Sequence, residues 1–101
     1  MPVFAVRTAK GAGWDHARGN REQPHWDEHA AFADELVAAG VIVFGGPVDS
    51  DDPHDIALLA VQAADEEAVR AAFAADPWTV HGVFRLKDVR RWTIWLDGRS
   101  R

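Results

Sequence analysis

Cysteine and tyrosine are absent from this 101-residue chain. Without cysteine there is no disulfide, no thiolate nucleophile, no iron–sulfur cluster and no Cys-type zinc site, and a chain that uses none of these suits a reducing compartment. Other nucleophiles are scarce: the serines are Ser50 and Ser100 and the lysines Lys10 and Lys87, so covalent catalysis has few residues to use. No apolar run approaches the roughly 20 residues that cross a bilayer, and Met1 to Arg7 lacks the basic start and long apolar stretch of a secretory leader. The expected location is therefore the cytoplasm. Positive charge is also short, 11 Lys+Arg against 16 Asp+Glu for a formal net charge of −5, which leaves no dense basic stripe for a phosphate backbone. Neither nucleic acid nor membrane is expected as a partner.

What the chain does hold is 48% apolar residues and five tryptophans, enough for one core and too little length for two. Residues 1–97 read as one domain and 98–101 as a C-terminal tail. Residues 2–8 are an apolar, partly β-branched run stopped by Lys10-Gly-Ala-Gly13, which predicts a first strand. The polar, aperiodic stretch 11–23 is long for a connection in so small a domain and reads as a possible lid. A helix is predicted from Pro24, with Asp27 and Glu28 in its first turn and Trp26, Ala30, Ala33, Leu36 and Val37 as its apolar stripe. Gly40 ends it.

Val41–Phe44 and Ile56–Val61 are two short apolar runs separated by Gly45-Gly46-Pro47 and the acidic stretch 49–55, the pattern of a hairpin. Asp65 is a good N-cap for a second helix whose stripe is Val69, Ala72 and Phe73, with Asp76 continuing it. Val80 to Leu96, with Val83-Phe84 and Trp92-Thr-Ile-Trp95, supplies a closing strand, long or broken. The order βαββαβ in about 100 residues is the ferredoxin-like α+β arrangement, an antiparallel sheet with two helices on one face. The other face stays apolar and wet unless a second copy covers it, so a homodimer through the open sheet face is expected, with Trp92 to Trp95 in or near that contact.

Two polar groups interrupt the apolar helical faces: His29 on the first helix and Asp76 after the second. Such groups need partners. Side-by-side helices would bring them together, the carboxylate orienting the imidazole for acid–base work. Each also has a structural reading: His29 satisfied by a backbone carbonyl, Asp76 by a local turn bond ahead of Pro77. Trp26 lies one turn before His29 and Trp78 two residues after Asp76, so both are candidate walls of one pocket for a cyclic or aromatic ligand.

His25-Trp-Asp-Glu-His29 matches the H-x-x-E-H string of zinc peptidases, but such a site needs a third ligand and a larger cleft. The acidic run Asp49, Asp51, Asp52 and Asp55 lacks the glycine and distal glutamate of a calcium loop. Gly11-Ala-Gly13 is followed by His16 where a nucleotide loop has glycine. No cofactor and no metal are expected.

His29, Gly40, Gly46-Pro47, Asp76-Pro77-Trp78 and a closing Trp92, taken in order, resemble a YCII-related (YciI-like) protein of the dimeric α+β barrel superfamily, and the resemblance covers most of the chain. It implies a ferredoxin-like monomer pairing its sheet with another to form a barrel, and an active site built around a histidine and an aspartate, here His29 and Asp76. Gly46 and Pro47 join Trp26 and Trp78 as pocket candidates on the same ground. The loop 11–23, with Trp14, Asp15 and His16, is longer than a minimal member needs. Fold alone selects no reaction. Two readings stay open: a lyase, isomerase or hydrolase acting on a small cyclic or aromatic metabolite, or a non-catalytic metabolite-binding or dimeric interaction module.

Overall fold

Alternation in the first strand sets the layering of the computed structural model, which describes residues 1–99. The strand β1 (Val3–Lys10) buries Phe4, Val6 and Thr8 beneath the helices and turns Val3, Ala5 and Arg7 to the opposite face. With β2 (Ile42–Gly46), β3 (Asp55–Gln62) and β4 (Phe84–Arg91) it forms one sheet of order β2-β3-β1-β4 in which every neighbouring pair is antiparallel. The crossovers are α1 (Trp26–Ala38) and α2 (Glu66–Phe73), and a short α3 (Pro77–Val80) precedes β4. This is the ferredoxin-like βαββαβ order, with α3 and a 3₁₀ turn at Asn20–Glu22 added.

The core lies between helices and sheet. Val6, Val61, Val69, Phe73 and Trp78 are its buried centre, and a valine fully removed from water contributes about 1.5–3 kcal/mol relative to one left exposed. The second helix is capped by the Asp65 carboxylate, which accepts the Ala68 N–H. The first starts two residues later than its sequence suggests. Pro24 stays outside because its carbonyl accepts the Trp78 indole N–H at 2.9 Å, and His25 takes a left-handed conformation (φ 62°) to turn the chain into the helix. Gly40 (φ 76°) closes α1 in the left-handed region that glycine enters without steric cost. Val37, expected in the buried stripe, is 52% exposed; Trp26 and Leu36 do pack on the core.

The closing strand ends at Arg91, earlier than Trp92-Thr-Ile-Trp95 suggests. Among the described residues its only neighbour is β1, which begins at Val3; the Trp92 N–H donates to the Val3 carbonyl at 2.9 Å, and beyond that point no described strand is left to pair. The segment from Trp92 instead crosses the helix-free face, where Val3, Phe44, Ala60, Trp92, Ile94 and Leu96 border a shallow hollow. Trp95 is 89% exposed there. Part of the 98–101 tail lies outside the described residues.

The connection 11–23 is not a free lid. Trp14 is buried in the core, edge-on to Trp78 with ring centroids 5.7 Å apart. Gln23 is buried as well: its Oε1 accepts the Asp15 N–H at 2.8 Å, and its Nε2 donates to the carbonyls of Asp15 (2.7 Å) and Arg18 (3.0 Å). One amide thereby pins the loop from inside. Gly11 and Gly13 lie so close to the backbone at His81 and Gly82 that a Cβ on either would collide with a carbonyl oxygen.

Candidate active site

The fold brings His29 and Asp76 together from positions 47 residues apart in the chain. His29 sits on the inward side of α1. The helical stripe that puts Trp26 and Ala33 toward the sheet puts His29 there too. Asp76 does not continue α2, as the spacing suggested; the chain turns after Phe73, and Asp76 is the N-cap of α3 with Pro77 at the first helical position. Its Oδ1 accepts the Trp78 N–H at 2.9 Å.

The same carboxylate meets the imidazole: His29 Nδ1 is 3.0 Å from Oδ1 and 2.9 Å from Oδ2 of Asp76. An ionised carboxylate only accepts, so Nδ1 is the protonated nitrogen and donates. That leaves Nε2, which has no hydrogen bond to any other described residue. The Asp76 side chain is 1% exposed and that of His29 14%, so the imidazole stands between a sealed carboxylate and the accessible space.

Aromatic rings fix the plane of the imidazole. Trp78 stacks on it with ring centroids 3.8 Å apart and planes within 2°, and Phe84 meets it edge-on at 5.2 Å. Trp78 is itself held by the Pro24 carbonyl and backed by Trp14 and Trp26. The loop 11–23 therefore supports the histidine at one remove.

Beside the pair is a cavity of about 100 Å³ whose walls include Thr8, Ile42, Ile56, Phe73, Phe84 and Trp78. The space is smaller than the apolar cavity of about 150 Å³ that takes up benzene, so a ring would enter with an outward shift of the walls. Among the residues expected from the sequence, His29, Asp76 and Trp78 line it. Trp26 packs behind them, 5.8 Å from the His29 ring and 5.6 Å from that of Trp78, outside the lining. Gly46 and Pro47 stand apart in a separate hollow with Phe44 and Trp92 on the helix-free face. The reason is a one-residue irregularity in β2: Ile42 pairs with Val61 and points into the core, but the register with β3 shifts between Ile42 and Phe44, so Phe44 pairs with Ala60 and turns to the opposite face.

Thr8 was not legible as a site residue, being one polar member of an apolar run. The signal was its place in the alternation after Phe4 and Val6, which puts a hydroxyl on the buried face. His25 does not join His29. Its ring stacks on His81 at 3.9 Å and its Nδ1 lies 3.3 Å from Glu28, and no three metal-ligating side chains converge among the described residues.

The acidic stretch after β2 is engaged with charge. Lys87 Nζ lies 2.6 Å from Asp55 and 2.9 Å from Asp52, and Arg7 is 3.9 Å from Asp55. The His54 backbone N–H and then Lys87 hold the Asp52 carboxyl well below its usual range; Lys87 and then Ser50 lower that of Asp55. The two carboxylates in turn raise the Lys87 ammonium, Asp55 first.

A model of the YCII-related domain matches residues 3–93 of the chain. A search of curated proteins finds no match. Among solved structures, the chain is similar to 5-chloro-2-hydroxyhydroquinone dehydrochlorinase (TftG) from Burkholderia phenoliruptrix AC1100, solved in complex with 2,5-dihydroxybenzoquinone. The two are 26% identical, the match covers 90% of this chain and 93% of that one, and the TM-score is 0.57. No helix among the described residues is long and apolar enough to cross a membrane.

Proposed function

From the premise that the chain belongs to the YCII-related domain family, we propose that it is a small-molecule enzyme of lyase type. In this reading His29 moves a proton on a small oxygenated ring and Asp76 orients it. The observation that carries the proposal is the 2.9 Å contact between His29 Nδ1 and a sealed carboxylate, which leaves Nε2 without a partner among the described residues on a side chain that lines a small, mostly apolar cavity. Nε2 takes a proton from an acidic C–H or O–H of the ring. The electron pair released forms the new double bond, and a leaving group such as chloride departs with its own pair. The imidazolium that results faces the Asp76 carboxylate, so its charge is offset without water.

The similar dehydrochlorinase acts on a chlorinated hydroxyhydroquinone and holds a dihydroxybenzoquinone, and that supports the ring as substrate class here. The homodimer belongs to the same proposal, with the helix-free face as the contact. Phe44, Trp95 and Leu96 are exposed there and would be covered by a second copy. We assign the protein to the cytoplasm on its lack of cysteine.

The test is turnover of 5-chloro-2-hydroxyhydroquinone, followed by chloride release, for the wild type and for His29→Ala and His29→Gln. A folded variant that loses turnover by about a hundredfold or more supports general acid–base catalysis. If the wild type neither turns over this compound nor binds 2,5-dihydroxybenzoquinone, or if the variants lose only stability, the proposal fails.

A further inference from the structure

We infer that Thr8 is a ligand-binding residue of the His29 cavity, its hydroxyl donating a hydrogen bond to a carbonyl or phenolate oxygen on the ring. The inference rests on the proposed reading of that cavity and adds to it the group that selects an oxygenated ligand.

Thr8 is 1% exposed, in the middle of β1, and lines the same cavity as His29 and Asp76. Apart from those two and Trp78, the remaining walls are hydrocarbon side chains. A hydroxyl in such surroundings is unfavourable unless its bonding capacity is used, and valine would fill the same shape with more apolar burial. One of its three bonding positions, a donor and two lone pairs, is accounted for. Oγ accepts the Ala57 N–H at 3.2 Å, and the hydroxyl proton has no acceptor among the described residues.

The backbone around Thr8 is irregular on both sides. Pairing of β1 with β3 shifts between Thr8 and Ala9, and pairing with β4 shifts between Arg7 and Thr8. Such irregularities re-aim side chains and gather next to active sites. Here the Ala57 N–H is taken by a side chain, and that bond fixes the oxygen of Thr8 while leaving its proton free to point at the cavity.

A donor at this position has a defined use in the proton transfer to His29. When Nε2 removes a proton from the ring, the electron pair is held first on a ring oxygen, which becomes more negative, and then returns to form the double bond as the leaving group departs with its own pair. The Thr8 O–H stabilises that oxygen in the state where the charge develops. Proton and electrons balance within ring and imidazole, with no oxidant or reductant. A ring without an acceptor oxygen would leave the hydroxyl unbonded and bind more weakly.

The experiment compares wild type, Thr8→Val and Thr8→Ser by calorimetric titration with 2,5-dihydroxybenzoquinone and with toluene. Wild type and Thr8→Ser are expected to bind the quinone, Thr8→Val at least about tenfold more weakly, with toluene indifferent to the substitution. Equal quinone affinity in Thr8→Val and wild type overturns the role of Thr8 and leaves the cavity's reading intact. Failure of the wild type to bind the quinone overturns both. Because Thr8→Val also removes the acceptor of the Ala57 N–H, a structure of the wild type with the quinone decides the matter if that variant does not fold. A ring oxygen within about 3.0 Å of Thr8 Oγ is expected; a hydrocarbon edge facing it refutes the assignment.

Discussion

Asp76 performs two jobs with one carboxylate, and a double-mutant cycle separates them. Asp76→Ala removes the cap bond from the Trp78 N–H and both contacts with His29 Nδ1. Loss of an N-cap costs about 1 kcal/mol, and a hydrogen bond involving a charged group about 1.5–3 kcal/mol. The sum, about 2.5–4 kcal/mol, is a large part of the roughly 5–15 kcal/mol that holds a domain together. It should lower the melting temperature by roughly 10–30 °C, at about 4–8 °C per kcal/mol for a domain of this size. Asp76→Asn keeps an oxygen for the Trp78 N–H and loses only the charged pair, so its cost should be about 1.5–3 kcal/mol.

The assay is urea denaturation of wild type, Asp76→Ala, His29→Ala and the double variant, with the slope m checked for constancy. His29→Ala also gives up stacking on Trp78, but that loss occurs in both backgrounds and cancels in the cycle. The coupling energy should be about 1.5–3 kcal/mol. A value below about 0.5 kcal/mol, within the usual additivity error, would mean that the two side chains are independent and that the buried carboxylate is held by the cap alone.

Gln23→Ala should destabilise the chain by about 2–3 kcal/mol, because it deletes the hydrogen bonds to Asp15 and Arg18 and leaves a hole where the buried side chain stood; amide exchange at Asp15 should accelerate with it, and unchanged exchange would refute the pinned loop. Acid should weaken the ion cluster on the helix-free face. Asp52 and Asp55 have folded pKa values below 3.8, so their contribution is present above that value and fades as pH falls toward the folded ones. Lys87, raised above 10.5, contributes below that value and loses its share as pH rises through the folded one. The stability gap between wild type and Lys87→Met should therefore be wide near neutrality and narrow in acid, and a gap independent of pH counts against the pairing. Light scattering at micromolar concentration should give twice the 11.1 kDa chain mass, with Phe44→Asp shifting it to one chain; a wild-type monomer removes the homodimer.

Local signals carried most of the fold. The stripe of α1 with Gly40 after it, the Asp65 cap and the two runs of the β2–β3 hairpin each depend on residues within a few positions of one another. Long-range partners decided the rest. Trp14 sits in a polar, aperiodic stretch, and only its contact with Trp78, far along the chain, shows that the loop is anchored. Trp92 to Trp95 has the composition of a strand, yet composition cannot supply the neighbour that β1 lacks before Val3. Gly46-Pro47 was placed near the pocket by its order in the chain, and the register shift between Ile42 and Phe44, which no local pattern announces, carries it to the opposite face.

The pairing of His29 with Asp76 was legible for a different reason: each is a polar interruption of an apolar stripe, and a sheet with both helices on one face leaves few places where such interruptions can be satisfied. The structural reading of Asp76, a local bond ahead of Pro77, is also correct, and the two readings depend on each other. The bond from the Trp78 N–H holds the carboxylate at the start of α3, and the rest of that carboxylate then faces α1. Proline at the first helical position fixes the turn, so the residue that follows, Trp78, presents its indole to the same imidazole that the carboxylate grips. Asp76-Pro77-Trp78 is thus a rigid three-residue unit that sets both the tautomer and the plane of His29. Under the proposed function such a unit would lower the reorganisation needed for proton transfer, since the groups that would stabilise the imidazolium are in position before it forms.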